Sequence, residues 1–123
     1  MRFKSPETQK EFYELPTLLQ VICSEFELLS WAEGVDPVVT RVREAVVGSS
    51  GVHEAGRAVD FRDEHPTGKF AYSDEAKARI ARALNRKYHR KDGKPTLLWH
   101  SFKGGPMHAH VQLAKDVSTY ETT

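Results

Sequence analysis

The chain of 123 residues contains a single cysteine, Cys23, which excludes an internal disulfide and a zinc site built from several thiolates. Cys23 lies in the apolar run LLQVIC, and this position predicts a buried thiol. Six histidines are available instead. A metal site in this chain would therefore have to use histidine and carboxylate ligands.

An excess of charge of one sign is also lacking, since 18 Lys and Arg face 17 Asp and Glu and the formal net charge is +1. We therefore expect neither nucleic acid nor an anionic membrane as a partner. No apolar stretch approaches the roughly 20 residues that span a bilayer, and the N-terminal MRFKSPETQKEFYEL lacks the apolar core of a secretory signal. We expect synthesis in the cytoplasm, no membrane insertion, and a single monomeric domain.

The spacing of apolar residues predicts the order helix, strand, turn, strand, helix, strand, strand. The first helix would begin with Thr17 as its N-cap and stop at Gly34, and the second would follow Ser73 as its N-cap. The inward-facing residues of the second helix are predicted to be Ala76, Ile80, Ala83 and Leu84. The strands are expected in VVTRVRE, RAVDFR, TLLWHS and MHAHVQL. This order predicts an α+β fold, with a small antiparallel sheet and helices packed on one side.

Two arginines lie on the first predicted strand. Alternation in VVTRVRE places Val39, Arg41 and Arg43 on one face, and the two arginines could face a binding site. The same arginines could equally form an ordinary solvated face.

Histidines and one aspartate gather near the other strands. His108 and His110 are two residues apart on one strand and share a face, while His53 and Asp60 flank a glycine turn in SSGVHEAGRAVDF. Two histidines with one carboxylate form the open ligand set of a catalytic zinc, which keeps a fourth position for water. Alternatively, the histidines only form hydrogen bonds and the domain holds no metal.

Two segments carry a resemblance to a known family. The run GVHEAGRAVDF resembles the His-x-x-Gly-x-Ala-x-Asp signature of the zinc D-alanyl-D-alanine carboxypeptidase and L-alanyl-D-glutamate endopeptidase family, which includes many phage endolysins. The later WHSFKGGPMHAHVQL is similar to the phage and prophage variant of that family, so the resemblance spans roughly residues 38 to 113. It implies a hedgehog/DD-peptidase-like fold with the zinc site at the sheet.

The resemblance also implies a ligand set and a substrate. Zn²⁺ would be held by His53, Asp60 and His110, and Arg41 or Arg43 would hold a substrate carboxylate. The implied activity is hydrolysis of peptide bonds in peptidoglycan stem peptides, by a bacteriophage lysis or tail-associated hydrolase. Such an enzyme would reach the cell wall after release from the cell or by delivery with a virion.

The sequence departs from the family at the residue three places before the last ligand. The family has an acid there that acts as general base, whereas this chain has Met107, and a thioether cannot accept a proton in catalysis. The candidates for that role are His108, His100 and Glu54. The departure leaves two expectations open: a zinc peptidase that uses another base, or a metal-binding cell-wall or virion module without turnover.

Overall fold

The structure, a computed structural model, describes residues 1–44, 51–53, 55–64, 69–101 and 105–121. Its elements, in chain order, are β1 (Arg2–Phe3), α1 (Pro6–Tyr13), α2 (Thr17–Ala32), β2 (Val38–Arg41), β3 (Ala58–Arg62), α3 (Asp74–Lys87), β4 (Leu97–Ser101), β5 (Met107–Gln112) and a 3₁₀ turn (Val117–Thr119). The five strands form one sheet in the order β1-β2-β3-β5-β4. This arrangement confirms the predicted α+β class.

The sheet is mixed, so the prediction of an antiparallel sheet was wrong at one edge. β1 pairs with β2 in parallel, whereas the β2–β3, β3–β5 and β4–β5 pairs are antiparallel. β1 has two residues, too few for a pattern of alternation to reveal. The four strands that carry the candidate site residues are those that the sequence predicted.

The two predicted helices form, with small differences at their ends. α2 begins at Thr17, which follows Pro16, and no side chain caps its N-terminus. Gly34 follows the C-terminal end of the helix with φ 78°. α3 is capped by Ser73, whose hydroxyl accepts from the Ala76 amide at 3.1 Å. Of the four residues of α3 that were predicted to face inward, Ala76, Ile80 and Leu84 are buried and Ala83 is exposed.

The helix α1 was not predicted, although its start signals are present in the sequence. Ser5 accepts a hydrogen bond from the Thr8 amide at 3.1 Å, and Pro6 occupies the first turn, where its missing N–H costs no bond. The helix has eight residues and its only buried apolar residue is Phe12. A helix this short and this polar gives little periodicity to read.

One face of the sheet packs against the helices. Val59 and Phe61 of β3 pair across with Val111 and Ala109 of β5, and all four are fully buried. The ring centres of Phe26 on α2 and Phe61 on β3 lie 4.4 Å apart, so the helix packs against the central strand of the sheet. Because side chains alternate along a strand, the residues between these core positions point to the opposite face.

The strand β2 carries an irregularity that decides where its arginine points. Val39 pairs with Phe61 of β3 but Arg41 pairs with Asp60, so the register shifts between them. Val39 is therefore buried with the core while Arg41 shares the face of Asp60, and the prediction that these two residues share a face was wrong. The strand ends at Arg41, and Arg43 lies beyond it with an exposed side chain.

Candidate metal centre

The face of the sheet away from the helices carries a row of side chains that crosses four strands. Arg41 on β2 lies opposite Asp60 on β3, Asp60 opposite His110 on β5, and His110 opposite Leu98 on β4. Opposite residues of neighbouring strands lie about 4.5 to 5.5 Å apart, so the row brings the functional groups into contact. Asp60 and His110, far apart in the chain, thereby become neighbours.

His53 reaches this row from the turn before β3. The turn closes with the Gly56 amide bonded to the His53 carbonyl at 2.9 Å, and Gly56 has φ 72°, a backbone conformation that favours glycine. The imidazole is buried, with Nδ1 2.8 Å from the carbonyl oxygen of Val42. Because a carbonyl oxygen can only accept, Nδ1 carries a proton, and neutral His53 presents the lone pair of Nε2.

His110 is oriented by a glutamine on its own strand. The side-chain amide of Gln112 donates to the Pro95 carbonyl at 2.8 Å, so its oxygen is the atom that lies 3.2 Å from His110 Nε2. Nε2 therefore donates to Gln112. The other nitrogen, Nδ1, lies 2.9 Å from Asp60 Oδ1, so each ring nitrogen of His110 faces an oxygen acceptor.

His53 Nε2 and His110 Nδ1 therefore meet at the same carboxylate oxygen. His53 Nε2 is 3.3 Å from Asp60 Oδ1, is buried, and has no hydrogen-bond partner within the described part of the chain. An imidazole lone pair facing a carboxylate repels it, so each of these contacts needs a proton or a cation between its two atoms. A tetrahedral zinc with ligands at about 2.0 to 2.1 Å separates its ligand atoms by about 3.3 Å, so this donor set fits the ion.

Asp60 is charged in this arrangement. Burial by itself raises the pKa of a carboxyl group, but the hydrogen bond with His110 and the interaction with His53 outweigh it, and the pKa of Asp60 lies well below its usual value. The carboxylate is held between the imidazoles on one side and Arg41 on the other, whose Nη1 is 4.0 Å from Oδ2.

Two further histidines stand beside the ligand set. His108 donates from Nδ1 to the Pro106 carbonyl at 3.1 Å, which leaves Nε2 as an acceptor 3.7 Å from Asp60 Oδ2. His100 lies opposite His108 on β4, with the two ring centres 4.5 Å apart. The pKa of His100 is lowered, first by burial and then by the neighbouring imidazoles, so its ring is neutral near pH 7.

The remaining predicted site residues are placed differently. The guanidinium of Arg43 lies close to Gly56, because a Cβ added to Gly56 would be 3.6 Å from Arg43 Nη1. The same Cβ would also contact Leu15. Arg43 thus lies beside the turn that carries His53. Glu54 lies outside the described residues.

Three residues on the site face were missed by the sequence analysis. Leu98 lies directly across from His110, and Arg62 lies directly across from His108. Gln112 is two residues after His110 on β5. Leu98 is 43 % exposed and adds apolar surface beside His110. Strand alternation alone would have placed Gln112 beside His110 and Arg62 beside Asp60, because each is two residues further along its strand.

Comparison with protein-family models, with curated proteins and with solved structures gives no match for this chain. The family resemblance therefore rests on the two sequence motifs, and the site is argued from its own geometry. Among the described residues, no helix combines the length and the apolar character needed to cross a bilayer.

Proposed function

We propose that the protein is a zinc-dependent peptidase that hydrolyses peptide bonds in peptidoglycan stem peptides, as a phage or prophage lysis or tail-associated enzyme. The observation that carries the proposal is the convergence of His53 Nε2 and His110 Nδ1 on Asp60 Oδ1, at 3.3 and 2.9 Å. Each imidazole has its other nitrogen held by a fixed acceptor, the arrangement typical of metal-ligating histidines. Zinc bound there supplies a Lewis acid that polarises a carbonyl and lowers the pKa of a water ligand towards about 7.

The proton acceptor that we propose is His108. Its Nε2 lies 3.7 Å from Asp60 Oδ2 and is left to accept a proton because Nδ1 is held by the Pro106 carbonyl, and an imidazole works as a base near neutral pH. His100, neutral and adjacent to His108, is the second group able to take or return a proton. Two imidazoles beside the row would share the task that an acid performs in much of the family.

The substrate would lie across the row of strands. Arg41 stands at one end beside Asp60 and can hold a carboxylate of the stem peptide, while Leu98 at the other end can contact a small apolar side chain such as the methyl group of alanine. Stem peptides offer both groups.

A second candidate is a metal-binding cell-wall or virion module without turnover. It is favoured by Met107, which occupies the position of the family's acid. Its side chain also belongs to the face of Ala109 and Val111, because residues alternate along β5. The two candidates predict the same metal and the same binding partner but differ in whether bonds are broken.

Hydrolysis of purified peptidoglycan and of synthetic stem peptides by the zinc-loaded protein separates the candidates. New amino groups, located by mass spectrometry, are expected with wild type and with His89→Ala, a variant at an exposed histidine outside the row. They should be absent with His110→Ala. Binding to peptidoglycan without release of any amino group would favour the second candidate.

A further inference from the structure

A second set of possible metal ligands overlaps the first. His100, His108 and His110 each place one ring nitrogen within 4.8 Å of the others, as do the members of the set His53, Asp60 and His110. The second set lies entirely on the paired strands β4 and β5. Its three donors are all imidazoles, whereas the first set includes a carboxylate.

Each ring of the second set has a nitrogen able to bind a cation. His108 presents Nε2, because its Nδ1 donates to the Pro106 carbonyl. His100 Nε2 is buried and has no hydrogen-bond partner among the described residues. A buried ring nitrogen without a partner costs free energy that a bound cation would recover.

The shared residue makes the two positions exclusive. His110 Nε2 donates to Gln112, so Nδ1 is the one nitrogen that His110 can offer to either set. We propose that His100, His108 and His110 form a second, all-imidazole metal position, which competes with the position at His53, Asp60 and His110 for His110 Nδ1. The cluster then binds one ion at one position or the other.

The two positions should prefer different ions. Neutral imidazoles suit Cu²⁺, which also binds most tightly of the divalent first-row metals, while the carboxylate of Asp60 adds a hard, charged donor to the first position. Copper is therefore expected at the second position and zinc at the first. If the peptidase proposal also holds, copper would occupy both proposed proton acceptors, His100 and His108, and the copper-loaded protein would be inactive.

The test measures binding of Cu²⁺ alone and of Zn²⁺ alone to wild type, His53→Ala, His100→Ala and His110→Ala, with His89→Ala as the control. We expect His100→Ala to weaken copper binding at least about 100-fold and zinc binding little, and His53→Ala to do the reverse. His110→Ala should weaken both. The electron paramagnetic resonance spectrum of copper-loaded wild type should show three nitrogen ligands. The spectrum of copper-loaded His100→Ala should show two.

A competition experiment covers the case in which a variant does not fold. One equivalent of Cu²⁺ added to the zinc-loaded wild type should release the zinc, because both ions need His110. Simultaneous binding of one copper and one zinc would overturn the proposal, and so would copper affinity that depends on His53 and not on His100. Neither measurement uses hydrolysis, so the result is independent of whether the protein is a peptidase.

Discussion

Gln112 fixes which nitrogen of His110 faces Asp60. Its side-chain oxygen lies 3.2 Å from His110 Nε2, and its amide is anchored to the Pro95 carbonyl at 2.8 Å, so the amide cannot turn over without losing both contacts. His110 therefore directs Nδ1, and not Nε2, at the carboxylate. The orientation of a metal ligand is thus set by a residue that does not itself touch the metal position.

Replacing Gln112 should weaken metal binding without removing a ligand. Gln112→Met keeps a similar volume but loses the acceptor, and we expect about 10- to 100-fold weaker zinc binding, as is usual when such a supporting hydrogen bond is removed. Gln20→Met is the matched control, because Gln20 also donates to a backbone carbonyl, that of Leu15, far from the site. Unchanged zinc affinity in a folded Gln112→Met variant would contradict the role assigned to Gln112.

The first ligand set predicts the metal content of the protein. Wild type should bind close to one zinc per chain, and His53→Ala or Asp60→Asn should weaken that binding at least about 100-fold. His110→Ala should remove it. Zinc should also raise the thermal midpoint of wild type, because it binds the folded state. Equal zinc affinity in wild type, His53→Ala and Asp60→Asn would rule out this ligand assignment.

Acidification should release the metal. Only unprotonated imidazoles bind zinc, so protons compete with the metal for His53 and His110 as the medium is acidified. Each proton that must leave on binding changes the affinity by up to about tenfold per pH unit. Zinc affinity measured between pH 8 and pH 5 should fall steeply; a flat profile is incompatible with ligation by histidine.

Alkaline pH should destabilise the fold through Tyr72. Burial raises the pKa of this phenol from 10 to about 12, and its hydroxyl donates to Ser30 at 2.8 Å. Since the unfolded phenol ionises at lower pH than the folded one, stability is lost as the pH rises from 10 to 12, by about 2 to 3 kcal/mol. Urea unfolding at pH 7 and pH 11 should show less alkaline loss in Tyr72→Phe. Tyr13→Phe, at an exposed ring, should behave as wild type.

The sequence was sufficient to predict the strands that carry the site because each has a clear apolar face. Alternation in MHAHVQL placed Ala109 and Val111 in the core and the two histidines opposite, as the structure has them. The pairing of Asp60 with His110 could not be read in the same way, since it depends on which strands become neighbours. Local patterns report burial, whereas contacts between distant residues are fixed by the packing of the whole sheet.

The register of β2 shows a second limit to predicting strand faces from the sequence. A strict period of two put Val39 and Arg41 on one face, but the shift of register between them separates the two. Such an irregularity changes the face of every later residue on the strand, and its sequence carries no glycine or proline to mark it. Arg43 lies beyond the end of β2, where strand alternation no longer predicts the direction of a side chain.

The last prediction concerns the proton acceptor. If His108 accepts the proton during peptide hydrolysis, His108→Ala should retain zinc at the first position and lower kcat by about 10² to 10⁴, the usual contribution of a positioned base. Zinc content measured on the same samples separates this loss from loss of metal. Undiminished turnover in zinc-loaded His108→Ala would exclude His108 and direct attention to His100 and Glu54.

Met107→Glu tests whether the family's acid can be restored. In this structure Met107 pairs with Ser101, while its neighbour His108 pairs with His100 on the site face, so a side chain at position 107 projects to the opposite side of the sheet. A carboxylate introduced there should not reach the ligand set, and hydrolysis should change less than about threefold. A gain of tenfold or more in Met107→Glu, at equal zinc content, would mean that β5 turns residue 107 towards the metal and that wild type lacks an effective base.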